Sequence, residues 1–250
     1  MTRIILTGAC GKMGKVIQSV VSGRTDCEIV AGVDKYCECS ASFPVYPTLS
    51  EVSQEADVVI DFSNPSLLDE LLEFGKNTKT ALVIATTGFD ECQKKQINDA
   101  SKECPIFFTY NMSLGINLLA NLAKKAVAVL GNDFDIEIIE QHHNQKIDAP
   151  SGTALMLADA ISEEFDKPMK YEYDRHSKRE KRTKDEIGIH AIRGGTIVGE
   201  HSILFAGRDE NITLSHSARS KEVFAVGAVN AAVFMKDKAN GMYDMGELVK

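Results

Sequence analysis

The sequence predicts an α/β protein in which an N-terminal doubly wound parallel sheet is joined to a smaller α+β domain. Two observations carry this expectation. From Arg3 to Thr109 short apolar strand patterns alternate with helical ones, and beyond Asp135 strand patterns come to follow one another with few helices between them. Alternation at that spacing implies parallel strands, because each helix returns the chain across the sheet before the next strand begins.

The first strand, Arg3-Ile4-Ile5-Leu6-Thr7, runs into Gly8-Ala9-Cys10-Gly11-Lys12-Met13-Gly14 and then a helical pattern through Val16–Val21. Strand, glycine turn and helix form the dinucleotide-binding unit of a Rossmann domain. Gly8 permits the tight turn, Gly11 lets the backbone approach a pyrophosphate, and Gly14 lets the helix pack on the strand. The spacing is G-x-x-G-x-x-G rather than the commoner G-x-G-x-x-G. A second strand, Glu28–Val33, ends in Asp34, twenty residues past Gly14, where an acid hydrogen-bonds adenosine ribose hydroxyls. Lys35 follows at once and suits a 2′-phosphate by Coulomb attraction, so NADH or NADPH is expected. Gly8, Ala9, Cys10, Gly11, Lys12, Met13, Asp34 and Lys35 are therefore candidate cofactor-binding residues.

Ala56–Phe62 and Ala81–Ala85 read as buried strands and Pro105–Thr109 as a fifth, with helical patterns over Leu67–Gly75 and Glu91–Cys104. Ligands of doubly wound sheets lie beyond the carboxyl ends of the strands. Ala85, Thr86 and Thr87, with Thr109, Tyr110, Asn111 and Met112, are thus expected to line the nicotinamide side of the crevice.

A long apolar helix is expected over Gly115–Leu130, and Asp135-Ile136-Glu137-Ile138-Ile139-Glu140 alternates acidic and β-branched residues as a half-buried strand does. His142 and His143 fall where that strand ends. Pro150 takes Ala149 out of helical dihedrals, and Ala154–Ile161 reads as a helix, so Ser151, Gly152 and Thr153 form its first turn. Backbone N–H groups there bind carboxylate or phosphate, with the helix dipole helping. Lys146, four residues past His142, returns to the same side across a turn. His142, His143, Lys146 and Arg193 are the cations available to an anionic substrate, expected to be a carboxylate, and one group can manage a proton while its neighbours hold charge. Ile187–Phe205 and Asn211–His216 read as further strands, and the alanine-rich helix Phe224–Met235 packs back on the first domain. The expected division is 1–113, 114–217 and 218–250.

The 250-residue length suits two modest domains, and 44% hydrophobic with 26% charged residues is ordinary globular composition. No apolar run looks long enough to span a bilayer and no signal peptide is evident, so a cytoplasmic protein without a membrane partner is expected. A formal charge of −8 argues against nucleic acid; the basic run of Arg175, Lys178, Arg179, Lys181, Arg182 and Lys184 reads as a solvated helix or loop. The six cysteines, Cys10, Cys27, Cys37, Cys39, Cys92 and Cys104, include no C-x-x-C pair and are expected as reduced thiols without zinc. A metal site from His142, His143, His190 and Glu140 is disfavoured, since adjacent histidines leave a strand in opposite directions.

Over essentially its whole length the chain resembles the dihydrodipicolinate reductases. The resemblance rests on the Gly8–Gly14 loop, Asp61-Phe62-Ser63, Ala85-Thr86-Thr87-Gly88-Phe89, Asn111–Asn117, His142–Ala154, Arg193-Gly194-Gly195 and Gly199-Glu200-His201. Ala85 stands where that family usually has glycine, Lys12 where it has arginine, and Asn64 where a basic residue is common. The resemblance implies His142 as proton donor or acceptor, Lys146 as proton donor, and His143, Gly152 and Thr153 as substrate ligands. It also implies nicotinamide-dependent reduction of a cyclic imine dicarboxylate in the diaminopimelate route to lysine, by a homotetramer joined through the second domain's sheet. Two other readings share the glycine loop: a different two-domain dehydrogenase of amino-acid precursors, and a non-catalytic nucleotide sensor. The first does not need His142, His143 and Lys146 together, and the second is told apart by chemistry, since only an enzyme loses turnover when His142 or Lys146 is replaced.

Overall fold

Ile4, Ile5 and Leu6 have no exposed surface, so the strand they form, β1 (Thr2–Thr7), lies inside a sheet rather than at its edge. The computed structural model describes residues 1–35, 41–109 and 111–248. It divides into two units, Met1–Ser113 with Glu222–Lys250, and Leu114–Lys221.

In the first unit β1 is followed by α1 (Lys12–Ser22), β2 (Cys27–Val33), β3 (Val45–Tyr46), β4 (Val58–Asp61), α2 (Leu68–Thr78), β5 (Ala81–Ile84), α3 (Glu91–Ala100) and β6 (Pro105–Phe108). The second unit holds α4 (Leu114–Leu130), β7 (Asp135–His142), α5 (Gly152–Ser162), β8 (Lys170–Glu172), β9 (Glu186–Arg193), β10 (Gly199–Ala206) and β11 (Asn211–Ala218). The chain then re-enters the first unit with α6 (Glu222–Met235), β12 (Gly241–Tyr243) and α7 (Met245–Leu248).

The first sheet has the order β12-β6-β5-β4-β1-β2-β3, and every pairing in it is parallel. The order reverses between β1 and β4, where the chain has gone out to β3 and come back, and such a switch point opens a crevice at the strands' carboxyl ends. Sequence periodicity anticipates the five longer strands. It misses β3 and β12, whose two and three residues are too few to display a period of two. α6 packs on β4 and β5 with Ala225, Ala228, Ala231 and Ala232 fully buried. Gly227 is required there, because a Cβ would stand 1.7 Å from the Met112 carbonyl oxygen.

The second sheet is mixed, with order β11-β10-β7-β9-β8. β9 lies parallel to β7 and β8, while β10 runs antiparallel to β7 and β11. The long Ile187–Phe205 pattern therefore splits into two strands on either side of β7. α4 and α5 cover one face, with Ile116, Leu119, Ala123, Leu157 and Ile161 against Ile136, Ile138, Ile189, Ile203 and Phe205. On the other face lie His190, Ile192 and Ser215, all exposed, with Ile139 and Leu204 half-buried.

Two expectations are corrected. Leu114–Asp133, which is α4 and the turn after it, is long and apolar enough to cross a bilayer by length and composition, with a mean hydropathy of 1.3. Its inner side nevertheless packs in the core of its unit and its Lys124 pairs with Glu163 at 2.7 Å. Cys10 is disulfide-bonded rather than a reduced thiol, whereas Cys27, Cys92 and Cys104 are free; Cys37, Cys39 and the candidate Tyr110 lie outside the described residues. The basic run after β8 is a largely exposed loop, as expected, and four of its six basic residues pair within the unit: Arg175 with Glu186, Lys178 with Glu172, and Arg182 and Lys184 with Asp135.

Candidate active site

At the end of β1 the chain turns through Gly8, whose φ of +68° only glycine adopts without strain. A Cβ there would stand 2.3 Å from the Phe62 carbonyl oxygen, and one at Gly14 equally close to that of Gly8. The turn is thus closed to side chains from both directions, as a cradle for a pyrophosphate requires. Gly11 is the N-cap of α1 and brings no capping side chain to the first turn, which contains Lys12 and Met13 and no acid. Asp34, at the end of β2, accepts a hydrogen bond from the Cys10 backbone N–H at 2.9 Å. Gly8, Gly11, Asp34, exposed Lys35, Phe62 and Asn64 line one groove of about 440 Å³. These residues and the first turn of α1 fit a dinucleotide: a helix N-terminus for phosphate, an acid at ribose reach and a lysine beside it.

Thr86, Thr87 and Thr109 line a second, smaller cavity of about 190 Å³ with Gly88 and Phe89. Ala9, Ala85 and Met112 are buried, so their side chains serve packing and only their backbones are left to meet a ligand. Asn111 accepts from the Ser113 N–H at 2.8 Å, which shapes the turn into α4. Beneath the glycine turn lies Asp61, buried and accepting from the Thr7 and Ser63 hydroxyls at 2.5 Å each. Burial pushes its carboxyl up against the opposing hydrogen bonds of Ser63, Thr7 and Thr86. It ties the ends of β1 and β4 together at the switch point.

In the second unit β7 delivers Glu140 and His142 to one face, because residues two apart in a strand point the same way. Glu140 has no exposed surface and His142 is 8% exposed. His142 Nδ1 lies 2.5 Å from Glu140 Oε2, and Arg193 at the end of β9 grips the same carboxylate with Nη1 at 2.8 Å and Nη2 at 2.7 Å. The Ser151 N–H, at the N-cap of α5, donates to Glu140 Oε1 at 3.0 Å. Burial alone would raise the Glu140 pKa, but hydrogen bonds from Arg193, His142 and Ser151 hold it below the ordinary value.

The bend the sequence requires after His142 is present. Gly194 N–H bonds to the His142 carbonyl at 2.9 Å, and Lys146 N–H to that of His143 at 3.1 Å, folding the chain back. His143 is half-buried, and Lys146 pairs with Asp148 at 2.8 Å, which holds Asp148 below its usual range. Gly152 and Thr153 open α5, and nothing lies within 4 Å of a Cβ placed on Gly152. One expectation fails here: Arg193 is no substrate cation, since its guanidinium is taken up by Glu140 and by the Asp148 carbonyl at 2.6 Å. His190 belongs to a different pair, with Glu137 at 2.8 Å.

Matches to known proteins agree with this geometry. Residues 2–112 fit the family described as dihydrodipicolinate reductase, N-terminus, and residues 115–249 fit its C-terminus. The chain belongs to the dihydrodipicolinate reductase family. The 4-hydroxy-tetrahydrodipicolinate reductase of Caldanaerobacter subterraneus subsp. tengcongensis is 53% identical over 250 residues, covering 100% of this chain and 99% of that one. The enzyme of that name from Clostridium tetani is 51% identical over 245 residues, covering 98% and 96%. A dipicolinate-bound dihydrodipicolinate reductase from Paenisporosarcina superposes with a TM-score of 0.82 at 26% identity, over 100% of both chains. As a family member the chain is an oxidoreductase that works with a nicotinamide cofactor.

Sequence reading passed over Glu140 and His201 as parts of this site, and it read Ser151 as an anion-binding member of the first turn, whereas Ser151 is the N-cap and its N–H is taken by Glu140. The signal for Glu140 was its parity: Asp135 and Glu137 occupy the outward positions of β7, whereas Glu140 shares the inward phase of Ile136, Ile138 and His142. His201 of β10, 4% exposed, meets the Ser151 hydroxyl through Nε2 at 3.1 Å and packs edge-on against His142 with centroids 5.2 Å apart. Burial, reinforced by the charge of His142, lowers its pKa to about 4.

Unfolding lets His201 take up a proton below its ordinary 6.5, while the folded chain resists until about 4. Stability is therefore lost as pH falls through that window, by about 3 kcal/mol at its lower end. Urea unfolding of wild type and His201→Gln from neutrality down to about pH 4 will show their stability difference shifting by that amount in the variant's favour; parallel curves refute it.

Proposed function

We propose that the chain dehydrates or accepts dehydrated 4-hydroxy-tetrahydrodipicolinate and reduces the cyclic imine to tetrahydrodipicolinate, in the diaminopimelate route to lysine, using NADH or NADPH. The carrying observation is the convergence of the Glu140–His142 pair, the Lys146 turn and the open α5 N-terminus within one unit, in a chain whose other unit has the glycine cradle.

The substrate ring bears two carboxylates. Backbone N–H groups of Gly152 and Thr153 take one of them, aided by the helix dipole. His143 and the Lys146 ammonium face the rest of the ring, Lys146 exchanging the Asp148 carboxylate for one of the substrate's. The coenzyme, when bound, supplies hydride to the conjugated C=C–C=N system. The enamine so formed needs a proton at carbon, which Lys146 delivers while His142, acting as donor or acceptor, balances the transfer. Glycine cradle, Asp34 and Lys35 support use of either coenzyme, the acid suiting a ribose hydroxyl and the lysine a 2′-phosphate. The uncovered face of the second sheet, with Ile139, Ile192 and Leu204, supports assembly as a homotetramer through that face; the enzyme works in the cytoplasm.

Mixing the chain with the cyclic condensation product of pyruvate and aspartate semialdehyde will consume reduced nicotinamide. His142→Gln or Lys146→Ala lowers that turnover about 100-fold or more, with NADH still bound as read by its fluorescence; undiminished turnover in both variants ends the mechanism. Lys35→Ala raises the KM for NADPH and leaves that for NADH in place, whereas equal effects on both remove the lysine from phosphate recognition. Sedimentation equilibrium will give four chains, and a monomer throughout the accessible concentration range contradicts the assembly.

A further inference from the structure

Glu140 has no place in the proton inventory above, yet it is the most tightly held side chain near it. Its two oxygens receive four hydrogen bonds from three elements: two from Arg193, one from His142 Nδ1 and one from the Ser151 backbone. Nothing in that arrangement leaves the carboxylate able to reach a substrate. Its effect is on the imidazole.

We propose that Glu140 is the positioning residue of the reaction: by accepting the Nδ1–H of His142 it fixes both the ring's orientation and its tautomer, so that Nε2 is the nitrogen that handles the proton. This rests on the reading of His142 as the proton-handling group.

Three observations converge on it. An ionised carboxylate only accepts, and the hydrogen bonds that keep Glu140 ionised despite burial therefore make Nδ1 the donor. The charge of Arg193 offsets that of Glu140, so the carboxylate is held in place by a guanidinium that is itself anchored to the Asp148 and Ile192 carbonyls. On the far side of the ring the first residue of β10 is Gly199, where a Cβ would stand 3.1 Å from His142 Nε2. Glycine there keeps a side chain off the nitrogen that Glu140 turns outward. His201 of β10, whose own Nε2 meets the Ser151 hydroxyl, packs edge-on against the ring.

The test uses the full-length enzyme with saturating coenzyme. In ¹⁵N-histidine spectra of the wild type, His142 will carry its hydrogen on Nδ1; a hydrogen on Nε2 alone overturns the proposal without any variant. Glu140→Gln will lower kcat about 10²- to 10⁴-fold, the range of a general acid–base contribution, while KM and the Kd for dipicolinate change less than about tenfold. In a His142→Gln background the same substitution will cost less than about twofold, because a group that acts through the imidazole has nothing left to position. If Glu140→Gln does not fold, Glu140→Gln/Arg193→Gln, which strands no lone buried charge, is compared in its place. A folded variant that keeps wild-type kcat, or one whose loss multiplies that of His142→Gln, overturns the positioning role. Wild-type turnover in His142→Gln itself instead overturns the reading of the imidazole, so the two failures are told apart.

Discussion

A carboxylate with no exposed surface stays charged in a protein only when donors replace its lost water, and Glu140 is the point where this chain meets that demand. Its donors come from the end of β7, the end of β9 and the start of α5. None of the three can shift without stranding a charge or a buried N–H, so the imidazole, the helix start and the bend between them are held in one geometry. Buried ion pairs are weak sources of stability, since desolvation offsets most of the attraction. What this one contributes is position.

Under the proposed function the two units hold an anion by different means. In the first, the backbone itself is the receptor, and the requirement is that side chains be kept away: a Cβ at Gly8 or Gly14 would collide with a backbone oxygen of the same turn or of the strand beside it. In the second, Gly152 has open space around it, so glycine is not needed there to avoid collision. Its value is that the first N–H groups of α5 can be approached. The same residue type thus answers a packing demand in one place and an access demand in the other.

These differences explain what could be read from the sequence. The glycine turn, Asp34 and the strand–helix alternation declare themselves because each depends on local pattern, a period or a fixed spacing. The His142–Thr153 stretch is legible for the same reason, being one contiguous run of polar and small residues after a strand. Arg193 could not be placed, because its partner lies across a strand pairing, and no spacing announces that β9 would add in parallel beside β7 with Arg193 level with His142. Glu140 was legible in principle from the parity of β7, but an acid among Asp135 and Glu137 looks like one more outward residue until the phase is counted. β3 and β12 exist only as additions to neighbours already in place, so tertiary pairing decides them and propensity does not.

Charge disposition then limits how a dianion can be bound by a chain of net −8. Both cations near the histidines are already paired, and the pairs differ in kind. Arg193–Glu140 has a partner with no exposed surface, and removing one member of such a pair costs about 3–5 kcal/mol. Lys146–Asp148 has a partner that is 58% exposed, and an exposed pair contributes about 0–1 kcal/mol. An incoming carboxylate can displace Asp148 at little cost and cannot displace Glu140. The ammonium is therefore the exchangeable cation and the guanidinium the fixed one; under the proposed function the substrate is gripped by Lys146, His143 and the α5 backbone, while Arg193 and Glu140 hold the imidazole still.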